Sequence, residues 1–135
     1  MQNLIEANSR LVRQFEEEFW AGKYHLGPQL LDPAFVRHGG GGEVVGTDAY
    51  IDFIKMTYDI MPDFHHRIEE MVVNDTTGVV RVTVEGTFTG VHQGVKGKGQ
   101  KLKYTAFDFL KIRNGKIYEM WGCFDSHTLF SELGS

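Results

Sequence analysis

Between residues 104 and 125 the chain reads YTAFDFLKIRNGKIYEMWGCFD, two alternating runs broken by Asn114-Gly115. An Asn-Gly pair tolerates positive φ at both turn positions, as a tight hairpin loop requires. The segment is therefore expected to form a β-hairpin with Arg113 opposite Lys116. Counting outward sets Leu110 against Glu119, Asp108 against Trp121, Ala106 against Cys123 and Tyr104 against Asp125. Directly opposed residues share a face of the sheet. One face would then carry three carboxylates and an indole: Asp108, Glu119, Asp125 and Trp121. The other would carry Phe107, Phe109, Met120 and Phe124. A slip of one residue would move one strand's set to the opposite side. Both faces are too apolar for open solvent, so helices are expected on one and a second copy of the chain on the other.

The composition narrows the class. At 135 residues the chain is expected to form one domain, 1–135, with a substantial core. A net charge of -4 argues against nucleic acid as the main partner. Lys96, Lys98, Lys101 and Lys103 lie in a glycine-rich stretch and read as a solvated loop. Cys123 is the sole cysteine, which excludes an internal disulfide and suggests a reducing, cytoplasmic setting. No leader-like apolar region or membrane-spanning stretch is read from the sequence.

Helices come first. From Gln2 to about Trp20, Leu4, Leu11, Phe15 and Phe19 recur at helical spacing, and Arg10, Glu16 and Glu17 are read as lying away from that stripe. A short helix is expected at 27–31, a brief strand at Phe35–His38 and a loop at Gly39–Gly42. Thr47 or Asp48 can cap a second long helix ending near Met61, with Phe53, Ile54, Thr57 and Tyr58 on its inner side. Strands follow at 67–73 and 79–90. In the latter, Val80, Val82, Val84 and Phe88 alternate with Arg81, Thr83, Glu85 and Thr87. Ser126–Leu133 reads as a terminal helix. Helices followed by a run of strands form the α+β pattern.

Several pieces then match a known family in order and spacing: Phe35-Val36-x-His38, Gly46, Pro62-Asp63, Gly86-Thr87, Gly90, Gly94 and Gly99, Gly115-Lys116-Ile117, Glu119-x-Trp121-x-x-x-Asp125 and the closing Leu133-Gly134. Over most of its length the chain resembles the SnoaL-like polyketide cyclases of the NTF2-like superfamily. The resemblance implies a cone: a strongly curved antiparallel sheet wrapped around N-terminal helices, enclosing an apolar cavity. It implies ring closure by intramolecular aldol chemistry without metal or organic cofactor, with Asp125 as the general acid/base. Where the family often has Gly-Thr-His, this chain has Gly86-Thr87-Phe88, a ring in place of a polar group.

The candidate catalytic residues are Asp125, Glu119, Asp108 and His38. A carboxylate in an apolar cavity loses hydration, so the Asp125 pKa is expected to rise toward neutrality, which suits proton transfer. Asp125 can equally cap the terminal helix, with Thr128 three residues on. Glu119 and Asp108 can divide into acid and base, or can pair with Arg81 or Arg67. His38 has an imidazole suited to shuttling a proton, and the resemblance places it near the pocket. Trp121, Tyr104, Phe88, Phe53 and Phe15 are the expected substrate contacts. His65 and His66 are strand neighbours and should point opposite ways. No HExxH or CxxC spacing occurs, so no metal is expected. The expected partner is an apolar, polyketide- or terpenoid-like small molecule, with no nucleic acid and no membrane, in a homodimer or higher homo-oligomer. Two alternatives stand beside the cyclase or isomerase: a non-catalytic carrier of a lipophilic ligand, and an epoxide or lactone hydrolase.

Overall fold

A computed structural model describes residues 2–40 and 42–133. Gly41, in the expected glycine loop, and Gly134, in the closing motif, lie outside them. Helix α1, Gln2–Arg13, runs directly into a π-helical segment, Gln14–Phe19. After a 3₁₀ turn at Tyr24–Leu26, α2 spans Gly27–Leu30. Strand β1 spans Leu31–Gly39, longer than the expected Phe35–His38, and an irregularity between Leu31 and Val36 accommodates Pro33. The two-residue β2 is Val44–Val45, and α3 is Thr47–Ile60. Neither Thr47 nor Asp48 caps α3. The cap is Gly46 at φ 91°, whose carbonyl accepts from the Tyr50 amide at 3.1 Å. Its amide is spent on the Phe35 carbonyl at 2.7 Å, so the chain turns there and Thr47 is already helical.

The remaining strands are β3 His65–Val73, β4 Thr77–Phe88, a small hairpin of β5 Val91–His92 and β6 Val95–Lys96, β7 Gln100–Arg113 and β8 Lys116–Phe124. Helix α4, Ser126–Leu133, follows. The six-stranded sheet has the order β2-β1-β8-β7-β4-β3. Its neighbours are antiparallel except β1 and β8, which run parallel. The curved sheet is therefore mixed and not wholly antiparallel as expected. Most of the chain separates β1 from β8, so no tight turn dictates their relative direction.

The closing hairpin has the expected turn, with Asn114 at φ 53° and Gly115 at φ 73°. Arg113 pairs with Lys116 and Ile112 with Ile117. A β-bulge at Tyr118 then shifts the register, so that Lys111 opposes Glu119, Phe109 opposes Trp121 and Asp108 opposes Gly122. The expected pairs beyond the turn are each wrong by one. Asp108 consequently shares the inner face with Met120 and Gly122, while Glu119 and Trp121 go to the outer face with Phe107 and Phe109.

The inner face packs on the helices. Strand β4 alternates as read, with Val80, Val82, Val84 and Phe88 buried. Phe15, Phe19 and Tyr50 stack face to face beneath them, with ring centroids 5.9 to 6.4 Å apart. Toward α3 and β7 the packing does not close, and a cavity of about 380 Å³ remains.

Candidate active site

The cavity lining is mainly apolar: Phe53, Met56, Ile60 and Met61 from the α3 side, Val82, Val84 and Phe88 from β4, and Tyr104, Met120 and Phe124 from the closing hairpin. Against this background a few polar groups stand out. The π-helical segment supplies one. It buries Phe15, Glu16 and Phe19 together, and Glu16 is only 2% exposed. Such segments occur frequently at functional sites because the extra residue redirects side chains.

Glu16 Oε1 has no hydrogen-bond partner among the described residues. Its Oε2 lies 3.5 Å from His66 Nε2, which donates to the Glu16 main-chain carbonyl at 2.7 Å. Burial pushes the Glu16 carboxyl well above the usual glutamate range, and the neighbouring charge of Asp108 pushes the same way. A proton on Glu16 supplies the donor that two ionised carboxylates would lack. Glu16 and Asp108 thus form a carboxyl pair on the lining of the cavity. Gly122 opposite Asp108 has no side chain to crowd it.

Burial holds His66 below the ordinary histidine range, so the imidazole is neutral with its proton on Nε2. Burial, then the charge of Asp108, pushes the Tyr50 phenol well up, and its oxygen accepts from Trp20 Nε1 at 2.9 Å. Burial raises Tyr104 to about 12. Arg37 completes the set. It is 6% exposed, donates from Nη1 to the Gly40 carbonyl at 2.7 Å and lies over the Phe53 ring at 4.4 Å.

Of the residues expected from the sequence, Asp108, Tyr104, Phe88 and Phe53 line this cavity. Phe15 lies behind it, fully buried in the aromatic stack. Glu119, Trp121 and His38 meet elsewhere, on the outer face of the sheet. His38 Nε2 lies 2.8 Å from Glu119 Oε2, His38 Nδ1 lies 3.3 Å from Glu43, and the His38 ring stacks on Trp121 at 4.9 Å. The bulge at Tyr118 accounts for this separation. Asp125 is exposed and caps α4, accepting from the Thr128 amide at 3.1 Å and the Thr128 hydroxyl at 2.7 Å. Those bonds hold its carboxyl below the usual aspartate range, the reverse of the expected rise. Arg67 and Arg81 pair with Glu69 and Glu70 on the surface, not with Asp108 or Glu119. His65 bonds Glu85 outside while His66 turns inward. No cluster of side chains suited to a metal occurs among the described residues.

Glu16, His66, Tyr50 and Arg37 are not among the site residues expected from the sequence. A signal existed for two of them. Glu16 lies four residues after Val12 and three before Phe19, inside the buried stripe. Arg37 alternates with Phe35, so both point inward while His38 points out.

The cavity and its enclosing sheet can be set beside known proteins. Solved structures share the fold closely. A SnoaL-like protein from Jannaschia sp. CCS1 superposes with a TM-score of 0.89 at 19% identity, over 98% of this chain and 94% of the other. A SnoaL-like polyketide cyclase from Agrobacterium tumefaciens C58 gives 0.76 at 18% identity, over 99% and 100%. A Bacillus cereus ATCC 10987 protein assigned as a polyketide cyclase gives 0.76 at 28% identity, over 92% and 78%. Among curated proteins nothing matches. The family model described as SnoaL-like polyketide cyclase matches residues 10–133, nearly the whole sequence. The chain therefore belongs to the SnoaL-like polyketide cyclase family.

Proposed function

We propose that this protein is a cyclase or isomerase that rearranges an apolar, polyketide- or terpenoid-like molecule by proton transfer, using the Glu16–Asp108 dyad as its acid and base. The observation carrying this reading is a fully buried glutamate, with an orphan oxygen, beside a second carboxylate in an apolar cavity. Family membership supports a role of this kind, and the chemistry needs only groups that the chain supplies.

The dyad carries one proton and one negative charge. Asp108 as carboxylate removes a proton from the carbon next to a substrate carbonyl. Protonated Glu16 hydrogen-bonds the oxygen on which charge develops. In a cyclisation the enolate carbon attacks a second carbonyl, forming the C–C bond, and the resulting alkoxide takes the Glu16 proton. The dyad again holds one proton and one charge, now with their places exchanged. In an isomerisation the abstracted proton returns to a different carbon. Apolar walls strengthen both interactions by excluding water.

The test is turnover of an identified substrate by Glu16→Gln and Asp108→Asn. Losing general acid–base assistance lowers kcat by on the order of 10²–10⁴-fold. Affinity should change only a few-fold, and Asp125→Asn should remain active. Wild-type rates in both dyad variants would sink the assignment. A lipophilic carrier would share the apolar lining. It would show pH-independent affinity and no turnover of candidate substrates.

A further inference from the structure

Arg37 stands apart from the dyad as the buried cation of this cavity. A guanidinium cannot shed its proton, so burial leaves a fixed charge that must be answered by neighbours or by a ligand. The only hydrogen bond it makes among the described residues runs from Nη1 to the Gly40 carbonyl, and the Phe53 ring supports its flat face. No carboxylate lies within the 4.0 Å of an ion pair among those residues. The seat is shaped for the group. A Cβ at Gly122 would fall 2.8 Å from Nη2 and 3.3 Å from Nε, and one at Gly39 would fall 3.2 Å from Nη2. The bare backbone at Gly122 thus leaves the guanidinium its place, whereas Gly39 must lack a side chain because its Cβ would run into the Gly122 carbonyl oxygen. Arg37, Gly40, Phe53 and Gly122 all line the cavity.

We infer that Arg37 is an anion anchor, and that the molecule this cavity takes is an apolar one bearing a carboxylate, seated on the guanidinium with its hydrocarbon body along the α3 and β4 walls. A planar fork of N–H donors matches the two oxygens of a carboxylate. The inference rests on the reading of the cavity as a small-molecule site and adds the charged end of its ligand. It does not depend on the dyad's chemistry.

The probes are 2-naphthoate and 2-acetylnaphthalene, a neutral ketone of nearly the same shape, titrated by calorimetry at pH 7. Wild-type protein should bind the carboxylate about tenfold or more tightly than the ketone. Arg37→Met should bring the ratio close to one by weakening the carboxylate alone, and Arg37→Lys should keep part of the preference. Glu16→Gln should leave the preference in place, which separates this anchor from the proton-transfer reading. Circular dichroism checks the fold of each variant. Should Arg37→Met fail to fold, Gly122→Ala decides, because its methyl displaces the guanidinium while keeping the charge, and the preference should fall. Equal binding of both probes by wild type, binding of neither, or a preference that survives the decisive variant overturns the inference.

Discussion

A buried carboxylic acid is least costly when it keeps its proton, and Glu16 is placed to keep one. The folded chain thus holds a proton that the unfolded chain releases around pH 4.5. The stability tied to it is complete below that pH and is lost as pH climbs through the raised folded value. His66 acts in the opposite sense. Burial denies it the proton that the unfolded chain takes up near pH 6.5. Its contribution is complete above that pH and is lost as pH falls through the lowered folded value. Urea denaturation across pH 4 to 9 should therefore show Glu16→Gln losing the alkaline decline of wild type. His66→Gln should lose the acid-side fall. Identical profiles in all three proteins would contradict the burial argument. Glu16 is not legible as a cavity residue because a glutamate ordinarily faces water, although its spacing from Val12 and Phe19 puts it in the buried stripe. Asp108, Tyr104 and Phe88 are legible because strand alternation sends them to one face, and Phe53 because helical spacing puts it on the inner side of α3.

Among the elements, the closing hairpin shows how far local rules reach. The Asn114-Gly115 turn was readable because two positive φ angles require such residues. The bulge was not readable, since nothing in an alternating pattern marks where an extra residue enters one strand. Tyr118 is that residue, and the Arg113 guanidinium covers its ring at 4.0 Å. Everything beyond it changes face, which moves Glu119 and Trp121 out and leaves Asp108 beside Glu16. Deleting Tyr118 should consequently be tolerated, because Glu119 still meets Lys111 and Gly122 still meets Asp108. Deleting Trp121 should not be, because Gly122 then slides away from Asp108 and Arg37. Thermal melts and hydrogen exchange of the two deletion variants provide the comparison. A Trp121 deletion as stable as the Tyr118 deletion would show that the register has no such role. The π-helical segment has the same character as the bulge: one residue's displacement, invisible to periodicity, decides what enters the cavity.

For the whole molecule, the corrected register also changes which surface is left uncovered. Phe107, Phe109 and Trp121 are 45%, 43% and 40% exposed on the outer face of neighbouring strands. The sequence led to an apolar face that needs covering but assigned Met120 and Phe124 to it, and those residues point inward instead. A second copy of the chain remains the proposed cover. Sedimentation at micromolar concentration should give a dimer, and Phe109→Glu should shift it toward monomer without loss of secondary structure. A monomeric wild type would count against this. The parallel pairing of β1 with β8 has a different consequence, one of time. Strand β1 is synthesised well before β8, its partner in the sheet. Contacts between distant parts of a chain form slowly, because a long loop must close first. Arg37 and Gly122 meet across that seam, so the charged end of the cavity forms only once this distant pairing has closed.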